Sequence, residues 1–264
     1  MPELSATQYE IVYAFLSLTI ATMGASAVFF LLGRSQVAPK YRPALLLSGI
    51  VVGIACYHYA RIFFSWQEAY ELVNGAYVAS GVPFLDSYRY ADWLLTVPLL
   101  VAELIAVLAL PKGQSRSLIA RLAFASVLMI ATGYPGEVAT DPMTKHIWGW
   151  VSTVPFAYIL YTLWVELSRA IERQPAAVKS LVSNIRLLLL ATWGVYPLAY
   201  LASALGIGGG AIAEVTLQVG YSVADITAKA GFGLMIYQIA VTKTAADREG
   251  LATAATTGEL APAE

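Results

Sequence analysis

The feature that most limits how this chain can fold is a succession of seven apolar segments, each long enough to cross the roughly 30 Å hydrocarbon core of a bilayer. They run about Tyr9 to Leu32, Arg42 to Trp66, Tyr88 to Leu110, Ser117 to Tyr134, Lys145 to Ile171, Leu181 to Leu205 and Ala211 to Val241. In lipid a spanning backbone must satisfy its own polar groups, so each segment is expected to be a helix. An apolar content of 58% against 12% charged residues puts the chain outside the range of soluble domains. The expected fold is all-α, a seven-transmembrane-helix bundle in a multi-pass protein of the cell (inner) membrane.

Seven is odd, so the two termini face opposite sides. The loops between spans one and two, three and four, and five and six carry Arg34, Lys40, Arg42, Lys112, Arg116, Arg173 and Lys179. The alternate connections and the N-terminus carry Glu3, Glu68, Glu71, Asp86, Glu137, Asp141 and Glu214. The basic set marks the cytoplasmic side, which places the N-terminus outside and the C-terminus inside. The first apolar run is expected to be kept as a span, since acidic Glu3 and Glu10 stand where a leader would be basic. Gln67 to Ser87 is the one long loop, and its Asn74-Gly75 pair is a two-residue hairpin signal. A short extracellular β-hairpin is predicted there. The membrane domain is expected to cover residues 1–243, followed by a disordered cytoplasmic tail over 244–264 that is rich in Ala, Thr and Glu.

A net charge of −1 provides no basic stripe for phosphates, so no nucleic-acid partner is expected. Cys56, His58 and His146 lack metal-ligand spacing, and no metal is expected. Pro98, Pro155 and Pro197 fall within spans, where kinks shape a cavity.

Ionisable residues inside the spans cost about 2.5–3.5 kcal/mol each at mid-depth on insertion scales, and they mark function by default. Lys229 is the only basic residue in its span, with Asp225 one turn before it at an i,i+4 spacing that suits an ion pair. In the third span Asp92, Thr96 and Glu103 lie near one helical face. Asp92 and Glu103 are separated by roughly 16 Å along the axis, about half the hydrocarbon thickness. That spacing suits a stepwise proton path, with an acceptor outward and a donor on the inner side. One lysine cannot neutralise both Asp92 and Asp225, and Arg89 and His58 are the candidates for a further partner of Asp92.

The run Arg89-Tyr90-Ala91-Asp92-Trp93-Leu94-Leu95-Thr96-Val97-Pro98-Leu99-Leu100 resembles the third helix of microbial rhodopsins, proteorhodopsin- and xanthorhodopsin-like proton pumps in particular. Trp193-Gly194-Val195-Tyr196-Pro197 and Asp225-Ile226-Thr227-Ala228-Lys229 resemble the sixth and seventh helices in the same order. The resemblance covers the chain from Tyr9 to Val241. It implies all-trans retinal on Lys229 as a protonated Schiff base, Asp92 as counterion and proton acceptor, and Asp225 as second carboxylate. It further implies Glu103 as cytoplasmic donor, Thr96 as the middle of the triad and His58 as partner of Asp92. The implied retinal pocket is Trp93, Thr96, Leu100, Met129, Gly133, Ser152, Thr153, Phe156, Trp193, Tyr196, Pro197 and Tyr200, with apolar Leu100 implying green absorption. Gly149, where archaeal pumps tend to carry Trp, implies a lateral window for a carotenoid antenna. Close helix packing is the other reading of that glycine.

The resemblance thus implies a light-driven outward proton pump rather than an enzyme, with the lipid bilayer as its surroundings and a homo-oligomer as its assembly. The alternatives are a sensory rhodopsin that signals to a partner protein, against which Glu103 speaks, and a seven-helix protein without chromophore. The chain departs from archaeal pumps at Leu217, where no pair of acidic release residues can be assigned. Glu137 and Glu214 are the loop residues open to that role.

Overall fold

A computed structural model describes residues 1–174, 176–204 and 209–257. Among them, helices α1 (Ala6–Gly33), α2 (Arg42–Ala69), α3 (Tyr88–Leu108), α4 (Lys112–Val138) and α5 (Pro142–Glu172) form the first five rods. The sixth is α6 (Ala176–Trp193) continued by α7 (Val195–Ala204). The seventh is α8 (Ala211–Asp225), a π-helical segment (Ile226–Gly231) and α9 (Phe232–Thr257). Sequence neighbours pack side by side from α1 to α6, and α8 closes the ring against α1. Five stretches have the length and apolarity of a membrane span in their own right: residues 6–36, 39–69, 88–108, 112–138 and 176–200. The remaining two rods are diluted, α5 by tryptophans and tyrosines and the seventh by Gln218, Asp225 and Lys229.

Local chemistry explains the breaks. Pro197 has no N–H to give the carbonyl of Trp193, and the sixth rod is interrupted at Gly194 between α6 and α7. The π-segment carries Lys229 itself, and such bulges concentrate at functional positions. Leu205, the expected end of the sixth span, lies outside the described residues.

The predicted hairpin is present as β2 (Tyr70–Val73) and β3 (Ala76–Ala79), paired antiparallel from Tyr70↔Ala79 to Val73↔Ala76. Its turn residues Asn74 and Gly75 have φ of 50° and 86°, left-handed values that Asn and Gly tolerate. A third strand, β1 (Leu4–Ser5), was not expected and joins the edge of β3 through Leu4↔Tyr77. Ser5 ends that strand and also caps α1, its hydroxyl accepting from Gln8 N at 3.2 Å while Gln8 Oε1 accepts from Ser5 N at 2.9 Å. Tyr9 stacks on Tyr77 with ring centroids 3.7 Å apart, fixing the sheet to the top of α1 and α2.

The last helix departs from expectation. The sequence places an irregular tail from Thr244, but α9 continues to Thr257 and its first turns past Lys243 are held from the side. Thr244 Oγ1 accepts from Ala38 N at 2.9 Å. Asp247 pairs with Lys40 at 2.9 Å and accepts from the Tyr41 hydroxyl at 3.0 Å. These polar side contacts replace the apolar stripe that the tail lacks. Residues 258–264 lie outside the described set.

Candidate functional site: a buried lysine between two carboxylates

Lys229 is 2% exposed, and its Nζ stands 2.9 Å from Asp92 Oδ2 on α3 and 2.8 Å from Asp225 Oδ1 at the end of α8. Asp225, fully buried, also accepts from the Tyr196 hydroxyl at 2.5 Å and the Tyr59 hydroxyl at 2.8 Å. A buried carboxylate needs several donors to offset its lost hydration, and Asp225 has three. Asp92 is served less well. Its Oδ1 has no hydrogen-bond donor among the described residues, and His58 Nδ1 lies 3.8 Å away while also facing Ile54 O at 3.1 Å. Thr96, fully buried, donates to the Asp92 carbonyl at 2.9 Å and lies 3.5 Å from Oδ2. The two carboxylates therefore differ: Asp225 is anchored by tyrosines, and Asp92 has an open lone pair facing a histidine.

Arg89 is not the partner of Asp92 that the sequence allowed. Its guanidinium points toward the hairpin end, where it pairs with Asp86 and donates to Gln218 Oε1 at 2.6 Å. Glu103 sits toward the opposite end of α3 with no exposure. It faces Ser48 of α2, but that hydroxyl donates to Ala44 O at 3.2 Å and leaves both Glu103 oxygens without a well-formed bond. Leu104, Ile105, Val107, Ile236 and Ile239, each at most 1% exposed, belong to the apolar cluster that closes this end of the bundle.

A cavity of about 300 Å³ lies between α3, α4, α5, the sixth rod and the part of the seventh that carries Lys229. Trp93, Leu100, Met129, Gly133, Ser152, Thr153, Phe156, Trp193, Tyr196, Pro197 and Tyr200, which the resemblance implies for a retinal pocket, line it, and so does Gly149. Thr96 does not line it and serves Asp92 instead. Tyr90, Val97, Ile130, His146, Trp150, Tyr221 and Ala228 line it without having been singled out. Tyr59, a ligand of Asp225, was likewise missed: a tyrosine in an apolar span carries no sequence mark of its partner. A largely apolar slot with one amine in its lining fits a long polyene aldehyde, the chemistry of retinal.

Gly149 is explained in part by packing. A Cβ there would stand 2.6 Å from Tyr200 Cε1, so the glycine makes room for the Tyr200 ring, whose hydroxyl donates to Lys145 O at 2.6 Å. Glu137 and Glu214 are not loop residues, since α4 runs to Val138 and α8 begins at Ala211. Both are half-buried.

Comparison with known proteins agrees with this geometry. The profile of a family described as "Bacteriorhodopsin-like protein" matches residues 11–243. The green-light absorbing proteorhodopsin of Gamma-proteobacterium EBAC31A08 is 33% identical over 229 residues, covering 85% of this chain and 84% of the relative. The crystal structure of xanthorhodopsin, described as a light-driven ion pump with dual chromophore, superposes with a TM-score of 0.90 at 50% identity, covering 95% of this chain and 99% of that one. Thermophilic rhodopsin gives 0.89 at 52% identity, covering 94% and 99%. With the lysine, its two carboxylates and the cavity in place, the chain belongs to the bacteriorhodopsin-like family of microbial rhodopsins.

Proposed function

We propose that this chain is a light-driven outward proton pump of the cell (inner) membrane. The observation that carries the reading is the Lys229 amine held at 2.9 Å from Asp92 and 2.8 Å from Asp225 at the end of the apolar cavity, with Glu103 buried on the inner side. Retinal joined to Lys229 as a protonated imine would supply light absorption and an isomerisation that changes the proton affinity at Nζ. The residues around it do the rest. Asp225, fixed by Tyr59, Tyr196 and the lysine, stays charged and keeps the resting cation paired. Asp92, with its less complete donor set, accepts the proton from Nζ through the 2.9 Å contact. Thr96 and His58 position that carboxyl. Glu103 then returns a proton to Nζ from the inner side. Glu103 is fully buried on the same helix as Asp92, which keeps it apart from the outer groups. The apolar cluster at that end acts as a dry collar that keeps the inner side shut meanwhile.

Asp92→Asn removes the acceptor charge. The visible band should shift to the red and light-driven acidification of a cell suspension should vanish, with a protonophore abolishing the wild-type signal. Acidification that persists in Asp92→Asn defeats the reading. A signalling rhodopsin is less well supported, because Glu103 stands where a sensor has no use for an inner proton donor.

The second chromophore named for xanthorhodopsin suggests a carotenoid on the α5 face of this chain. The cavity is lined by both Gly149 and Trp150, and Trp150 is 72% exposed, so the slot reaches the lipid side. The antenna would rest on the Tyr200 ring that fills the Gly149 space. Gly149→Trp should abolish carotenoid-sensitised bleaching in the action spectrum while direct excitation of the main band remains. An unchanged action spectrum excludes the site. A homo-oligomer in the bilayer is also proposed, and particle mass in lipid nanodiscs measures it.

A further inference from the structure

Far from the lysine, at the end of the bundle that the loop charges mark as cytoplasmic, a groove of about 540 Å³ opens on the surface between the starts of α2 and α4 and the end of α3. Three cations border it: Lys40 just before α2, and Lys112 and Arg116 on the first turns of α4. No carboxylate is among the described residues that line it. Lys40 is already committed, since Asp247 pairs with it at 2.9 Å. Lys112 and Arg116 are both exposed, and neither side chain makes a salt bridge or hydrogen bond among the described residues. They stand at i and i+4, so two like charges share one helix face, an arrangement that costs stability unless an anion answers it.

Deeper in, the groove turns apolar. Ile119 lies seven residues beyond Lys112 on α4, roughly 10 Å further along the axis, and lines the groove together with Ile105 and Pro43. Ala106, Ala109 and Ala120 have side chains too small to fill the recess between these walls. Ala109, at φ 53°, ends α3 in the left-handed conformation, and the turn it starts lets Lys112 border the same groove as the α3 residues.

We propose that this groove binds an anionic phospholipid of the inner leaflet, with Lys112 and Arg116 on the headgroup phosphate and one acyl chain along Ile105 and Ile119. Charge and depth select this occupant. A basic rim at the cytoplasmic membrane surface above an apolar recess matches a lipid whose headgroup is negative and whose tail is hydrocarbon. A guanidinium fork takes two phosphate oxygens at once, while the Lys112 ammonium adds a point charge. A zwitterionic lipid brings the same phosphate together with a cation that the rim repels, and free inorganic phosphate would leave the apolar walls uncovered. None of the groove residues lines the lysine cavity, so the assignment stands apart from the pump reading.

The test uses purified protein supplied with retinal, stripped of lipid in detergent and titrated with phosphatidylglycerol or phosphatidylcholine of equal chain length, with bound lipids counted by native mass spectrometry. The wild type should bind one phosphatidylglycerol about ten-fold more tightly than phosphatidylcholine, as two membrane-surface cations warrant. Inorganic phosphate should not displace it. Lys112→Gln combined with Arg116→Gln should erase the preference. Ala120→Phe, which fills the apolar part and keeps the charges, should weaken phosphatidylglycerol binding. Arg173→Gln combined with Lys179→Gln removes two exposed cations from another inner connection and should change nothing. The visible band reports that each variant is folded. Equal affinity for the two lipids, a preference that survives without Lys112 and Arg116, displacement by inorganic phosphate, or an equal loss in the Arg173 and Lys179 variant overturns the assignment. A particle mass that changes in the Lys112 and Arg116 variant while the lipid count does not would give the groove to a second copy of the chain, and overturns it too.

Discussion

Three hydrogen-bonding partners set Asp225 apart from Asp92, and that difference carries most of the chemistry at the scale of single residues. Tyr59 is the clearest handle on it: its hydroxyl donates to Asp225 Oδ2 at 2.8 Å and also lies 3.2 Å from Tyr221 O. Tyr59→Phe removes one donor from a buried carboxylate, which should destabilise the protein by about 1.5–3 kcal/mol. Thermal bleaching of the visible band measures it, and a midpoint equal to the wild type would show that Asp225 is held by Tyr196 and Lys229 alone. Much of this site was legible in the sequence. Charges inside apolar spans are costly enough to stand out, so Lys229, Asp92, Asp225 and Glu103 declare themselves by their position alone. Tyr59, Gln218 and the outward turn of Arg89 do not. A tyrosine or glutamine costs little in a span, and only the three-dimensional packing decides which carboxylate it meets.

Elements were read well where a single local rule governs them. Five of the seven rods follow from apolar length alone, and the hairpin turn from Asn74-Gly75. The π-segment at Ile226–Gly231, the short strand β1 and the continuation of α9 past Lys243 depend on contacts with other elements and left no mark in the sequence. Lys243 shows why such contacts matter. Two residues beyond the seventh span, it donates to Val107 O at 3.2 Å and Leu108 O at 2.9 Å, the carbonyls that α3 leaves unpaired at its C-terminal end. Burial pushes the Lys243 ammonium down to about 8. Between that pH and the ordinary lysine value the unfolded chain holds a proton that the folded protein has released. Stability therefore rises with pH across this window. The melting temperature of the wild type minus that of Lys243→Met should grow more positive from pH 8 upward, and a flat or falling difference would refute the linkage.

The molecule as a whole is lopsided. Toward the hairpin, polar groups (Arg89, Asp86, Gln218, Glu214 and Glu137) extend from the lysine site to the surface. Toward the other end, Glu103 is fully buried and Leu104, Ile105, Val107, Ile236 and Ile239 belong to the apolar cluster there, with Lys243 tying α9 to the end of α3. Proteoliposomes given a pH step in darkness should hold it as long as protein-free vesicles do, and a faster collapse would show that the inner collar leaks. The asymmetry follows from where the sequence spends its few charges, and the loop composition had already indicated which end was which. Its consequence concerns the night. A cell whose respiration has built a proton gradient should lose none of it through idle copies of this protein, the buried inner end acting in darkness as a check valve.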